Sequence, residues 1–270
     1  MSSKYVKAVK KGVYMKKYAI VLCVLLIALV SLCACQPVQN SKWNPDSANP
    51  FDFDGNMVRP EAVIDGYDND ELWQSPNKVT VEYADTVVSI VRKSNAIYLF
   101  FKVRDNTPFR YVGSGAAEEV THSDSVEFYF DAKLSRTAVP SAGDYQINLG
   151  RDSRTRICAG AGWIKWMAMY MFEVREGSVM DNDEEYYYVE AMLPLAQMGI
   201  GANDAIGMAF GQVDRSVDIN NDLPGYFTWR GLTFEGGFAD PQKPNTYVVL
   251  TSDGNKLLTY QQYLDTLQTK

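Results

Sequence analysis

Between Val126 and Asp131 the chain alternates without a break. Val126, Phe128 and Phe130 are apolar, and Glu127, Tyr129 and Asp131 carry polar groups between them. A period of two is the pattern of a strand with one buried face, which puts two carboxylates and a phenol together on the other face. The turn Ser123-Asp124-Ser125 introduces it. Short apolar runs recur at Val79–Tyr83, Val87–Arg92, Ile97–Val103, Tyr145–Leu149, Trp163–Val174, Tyr186–Leu193, Ile206–Val213 and Tyr247–Leu250, with turn signals between them. Many are rich in Val, Ile, Tyr and Phe, and none sustains a period of 3.6. The profile predicts an all-β chain: a two-sheet antiparallel β-sandwich, jelly-roll-like, in one domain over residues 59–252. In the tail 253–270, Thr259 is suited to cap a short helix with Tyr260, Tyr263, Leu264 and Leu267 along one side.

The first 34 residues follow a different pattern. Lys4, Lys7, Lys10, Lys11, Lys16 and Lys17 precede an acid-free apolar run from Tyr18 to Ala34. A basic segment, an apolar core and small residues at its end read as a secretory signal, although the run is also nearly long enough to span a bilayer. Its end, Leu32-Cys33-Ala34-Cys35, resembles the lipobox of bacterial lipoproteins. The resemblance implies that residues 1–34 are removed and that Cys35 is lipidated. The expected location is extracytoplasmic, lipid-anchored to a bacterial membrane. Residues 35–58 are rich in Asn, Pro, Ser and Asp and hold no sustained period, as expected of a flexible tether.

Losing the signal changes the charge. The chain has 26 basic and 33 acidic residues; taking away the six signal lysines leaves 20 against 33, a net of −13. So acidic a body is unsuited to nucleic acid, and the membrane is expected to be met through the lipid anchor only. Cys35 and Cys158 are the cysteines that remain, so with Cys35 acylated the core must hold the fold without a disulfide. Enzyme chemistry finds little support. His122 is the single histidine, which excludes multi-histidine metal centres, and there is no G-x-S-x-G elbow. A glycosidase needs two carboxyl groups about 5–9.5 Å apart, whereas Glu127 and Asp131 on one strand are about 13 Å apart.

Further landmarks follow in order. Val63 to Trp73 (VIDGYDNDELW) opens the domain, then come Ala96–Asp105, Ser123–Asp131, Tyr188–Pro194 and Ile206–Asp214, with Trp229 and Asp240-Pro241 last. This succession, over roughly Pro60 to Thr251, resembles the family 9 carbohydrate-binding modules, also called DOMON-like sugar-binding sandwiches. The resemblance implies a non-catalytic β-sandwich with a sugar site, often with structural calcium.

In that family two tryptophans clasp a saccharide ring, where flat aromatic faces cover its apolar C–H groups. The matching positions here hold Thr121 and Phe238. Glu127 matches the family's site glutamate and Asn148 an asparagine of the next strand, while Gln146 stands where an arginine is expected. The resemblance treats Trp73 and Trp229 as core or rim residues. Trp163 and Trp166, three apart and so on opposite faces of a strand, offer at most one replacement platform. For calcium the candidate ligands are Asp65 and Asp68, with neighbouring Asp70, and Asp218, Asn220 and Asp222; Asx turns use the same residues. Neither stretch is an EF-hand.

The expected function is that of a carbohydrate-binding module on a membrane-anchored lipoprotein, taking a polysaccharide or oligosaccharide through Glu127, Gln146, Asn148 and Phe238. Competing expectations are a structural or protein-interaction module of the cell envelope with a degenerate sugar site, and an accessory part of a glycoside hydrolase system.

Overall fold

A computed structural model describes residues 61–93, 95–107, 123–151, 153–161, 164–165, 171–181, 184–218 and 223–269. Two antiparallel sheets dominate. The smaller uses β1 (Val79–Tyr83), β2 (Thr86–Arg92), β3 (Ala96–Arg104), β8 (Met171–Asp181) and β9 (Glu184–Pro194), in the order β1-β2-β3-β9-β8. The larger uses β4 (Ser125–Asp131), β5 (Asp144–Gly150), β6 (Thr155–Ala159), β7 (Ile164–Lys165), β10 (Ile206–Asp218), β14 (Val248–Leu250) and β15 (Leu257–Leu258). Its order is β15-β14-β10-β4-β5-β6-β7, and β11 (Leu223–Gly231) pairs with the second half of β10. A small hairpin of β12 (Thr233–Phe234) and β13 (Gly237–Phe238) follows, and helix α1 (Tyr260–Gln268) ends the described chain.

The core lies between the sheets. Alternate residues of β2, β3 and β9 (Val88, Ile90, Leu99, Phe101, Val189 and Ala191) meet Val126, Phe128, Phe130, Ile147 and Phe210 from β4, β5 and β10. Phe101 stacks on Phe128 with ring centroids 5.8 Å apart and meets Phe210 edge-on at 6.1 Å. Burial of such rings is what holds a sandwich that has no disulfide among its described residues; Cys158 is free and buried.

The outer face of the smaller sheet is also covered. Residues 61–74 lie across it as a strap, burying Ile64, Leu72 and Trp73 against Tyr98, Phe100 and Met192. One carboxylate secures the strap. Glu190, fully buried on β9, accepts the Trp73 indole N–H at 2.9 Å and the backbone N–H groups of Asp65 and Gly66, each at 2.9 Å. Burial raises its pKa to about 7 against the pull of those donors. Trp73 is thus a core residue, as the resemblance implies.

Two expectations need correction. Every residue of β4 is buried, so the polar face of the opening strand is not open to solvent. Period two reports which residues share a face; it does not report whether a second layer covers the other one. The run Trp163–Val174 is not one strand either. β7 belongs to the larger sheet and β8 to the smaller, so the chain changes sheets between them.

Candidate functional site

Register across five strands builds one row of residues. Gly231 of β11 pairs with Gly211 of β10, Gly211 with Glu127 of β4, Glu127 with Asn148 of β5, and Asn148 with Arg156 of β6. A parallel row pairs Ala209, Tyr129, Gln146 and Cys158. Directly paired residues project to the same face with Cβ atoms about 5 Å apart. All of these therefore share the face of the larger sheet that looks away from the smaller one.

Glu127 is the hub of this face. Its Oε2 accepts the Tyr129 hydroxyl at 2.5 Å and the Trp229 indole N–H at 2.8 Å, while the Asn148 amide donates to Oε1. The carboxylate is 5% exposed. Burial pushes its pKa above the usual carboxylate range, opposed by the donors from Tyr129 and Trp229, the nearby Arg156 charge and the Asn148 amide. The adjacent Tyr129 hydroxyl is driven well above its ordinary value by burial, then by the Glu127 charge. Gln146 completes the network, its amide donating to the Tyr129 oxygen at 3.4 Å.

The two glycines of the row explain where Trp229 goes. A Cβ on Gly211 would stand 2.8 Å from the indole Nε1, and one on Gly231 would stand 2.2 Å from Cη2. Without side chains they leave a trough in which the indole lies, its N–H reaching Glu127. Phe238, 47% exposed, meets that indole edge-on at 5.9 Å with planes at 87°. The two rings form a corner at the rim of a buried polar network. Asn148 adds one more element: its Nδ2 donates to Glu127, but its buried Oδ1 has no partner among the described residues.

Glu127, Gln146 and Asn148 are therefore brought together, and Phe238 reaches them through Trp229. Trp229, expected in core or rim, stands part-exposed at the rim and donates its indole N–H to Glu127, a link the sequence reading did not draw. The sequence holds a clue in Gly211 and Gly231, two gaps in runs of large residues, but only cross-strand register turns them into a seat. Arg156 was also not singled out, because a lone arginine on a short strand carries no pattern of its own.

Other candidates fall elsewhere. Thr121, Trp163, Trp166, Asn220, Asp222 and Cys35 lie outside the described residues, as does the Asp218 side chain. Asp65 serves its own turn, accepting the Tyr67 N–H at 3.0 Å, which is Asx-turn chemistry, and Asp70 accepts the Val63 N–H at 3.0 Å, closing the loop seven residues back. Asp68 is exposed nearby. Among the described residues no group of three His, Cys, Asp or Glu side chains converges as a metal site.

No protein-family model matches the chain, and no curated protein matches it. Solved structures do. The sandwich is similar to family 9 carbohydrate-binding modules. One, from Caldicellulosiruptor kristjanssonii in complex with cellotriose, is 18% identical, with a TM-score of 0.49 over 70% of this chain and 87% of that one. A module of the same family and organism in complex with glucose is 17% identical, with a TM-score of 0.48 over 72% and 92%. A candidate carbohydrate-binding protein from Bacteroides uniformis is 16% identical, with a TM-score of 0.42 over 63% and 79%. At such identities the chemistry of the site rests on its own residues.

Proposed function

We propose that this chain is a non-catalytic carbohydrate-binding module, carried outside the cytoplasm on a lipid anchor at Cys35. One observation carries the reading: a part-exposed tryptophan held in a fixed pose by a buried carboxylate, with an exposed phenylalanine standing perpendicular to it and an unpartnered amide oxygen alongside. A pyranose offers apolar C–H faces to aromatic rings and hydroxyls to polar groups, so this mixture suits it. Because Glu127 holds Tyr129, Asn148 and Trp229 in place before a ligand arrives, little ordering is left to oppose binding. The solved modules in complex with cellotriose and glucose lend support to a neutral glucan ligand.

The polar network also supports a second reading. Tyr129, Trp229 and Asn148 already occupy the oxygens of Glu127, as expected if the site now serves only to brace an envelope scaffold. A glycan array probed with the full-length protein separates the two. Binding to one sugar class that is lost in Trp229→Ala supports the module; no binding across the array favours the scaffold.

A further inference from the structure

Asn148 and Arg156 are paired neighbours on β5 and β6, facing the same side as Glu127. Asn148 spends an amide N–H on Glu127 and keeps a buried carbonyl oxygen without a partner among the described residues. A buried acceptor without a donor costs about 1–3 kcal/mol, so this oxygen is poised to receive a proton donor from a ligand. Arg156 is part-exposed. Its charge is felt by Glu127, yet among the described residues its guanidinium makes no hydrogen bond or ion pair. The result is an acceptor and a cluster of donors side by side, with Cβ atoms about 5 Å apart.

Resting on the carbohydrate reading above, we infer that Asn148 and Arg156 together read a pair of adjacent hydroxyls on a neutral sugar, and that Arg156 is the specificity-determining residue. One hydroxyl donates to Asn148 Oδ1, and its neighbour accepts from the Arg156 guanidinium. A hydroxyl is both donor and acceptor, so two of them satisfy both protein groups. A uronate carboxylate pairs well with a guanidinium but has no proton for Asn148 Oδ1. It would also meet the buried charge of Glu127 in the same row and a chain whose net charge is −7. The site therefore selects hydroxyls over carboxylates. Arg156 does this from the strand beyond β5, leaving Gln146 to support Tyr129.

The test is calorimetric titration of the full-length protein with cellotriose, xylotriose and mannotriose as neutral probes and digalacturonate as the anionic one. At least one neutral trisaccharide should bind and digalacturonate should not. Arg156→Ala should weaken the neutral sugar about 10- to 100-fold, the range for a hydrogen bond from a charged donor, with an unchanged thermal midpoint. Arg156→Lys, a point charge without the planar fork, should recover only part of the loss. Among monodeoxy forms of the bound sugar, two adjacent deletions should each weaken binding, and one of the two should cease to matter in Arg156→Ala. Full affinity in Arg156→Ala, or Arg156-dependent preference for digalacturonate, overturns the inference while leaving the carbohydrate reading in place. Failure of every probe, or binding indifferent to Trp229→Ala, overturns both.

Discussion

Three side chains, Tyr129, Asn148 and Trp229, converge on the single carboxylate of Glu127. Glu127 therefore acts through its neighbours, because their donors already occupy both of its oxygens. Glu127→Ala should leave three donors stranded and lower stability by about 3 kcal/mol, read as a fall in the denaturant midpoint at constant slope. Trp229→Ala removes a part-exposed ring and one of the donors, so it should lower stability by only about 1 kcal/mol, yet weaken carbohydrate binding at least about tenfold. Gly231→Ala offers a different check on the same ring. The added methyl would sit 2.2 Å from Cη2, so the indole must leave its trough, and tryptophan emission should move together with the loss of binding. An unchanged emission spectrum would show that the trough does not set the pose. At this scale the alternation of β4 was enough to group Glu127 with Tyr129. Their bond to an indole 102 positions away in sequence was beyond any local pattern.

Strands whose apolar residues alternate were visible directly, as at β1 and β4, and β3 showed as a continuous apolar run. β11 was not, because Pro224 and Gly225 break the run Leu223–Gly231, and β6 is too short for a period to emerge. Both matter to the site, since they carry Trp229 and Arg156. The strap over the smaller sheet shows the same limit: Asp65-Gly66 looked like a turn, and the structure makes its N–H groups partners of Glu190. With a folded pKa of about 7 against the ordinary 4.5, Glu190 binds a proton more tightly in the folded state. Its effect is to make the fold more stable as pH falls from 7 towards 4.5, by up to about 3 kcal/mol. The measurement is the difference in melting profile between the native chain and Glu190→Gln across that window; parallel profiles would remove the assignment. Helix α1 behaves as its sequence suggests. Thr259 accepts the Gln262 N–H at 3.3 Å and the Gln262 side chain returns to the Thr259 N–H at 2.8 Å, a complete capping box. No helix residue is fully buried, and Leu267 is 51% exposed, so tertiary packing adds little to the cap.

For the whole molecule, the sandwich presents its aromatic corner on the face of the larger sheet, away from the strapped face of the smaller one. On the lipid anchor proposed above, so acidic a body would stand off from an anionic bilayer and keep such a corner available to a neutral glycan. Cys35→Ser should move the protein from the membrane fraction to the soluble one in a bacterial host. Retention in the membrane would point instead to an uncleaved anchor within Tyr18–Ala34.

Alternation and turn spacing along the chain determine that it is all-β, that Val126, Phe128 and Phe130 face a core, and that Gln146 and Asn148 point the same way, because these follow from the strand period alone. Whether the polar face is covered, which glycines face each other across β10 and β11, and which distant ring reaches Glu127 are settled by register between strands remote in sequence. A period of two is local and survives in the sequence; register is the choice of one pairing among many, made by packing the whole sandwich at once.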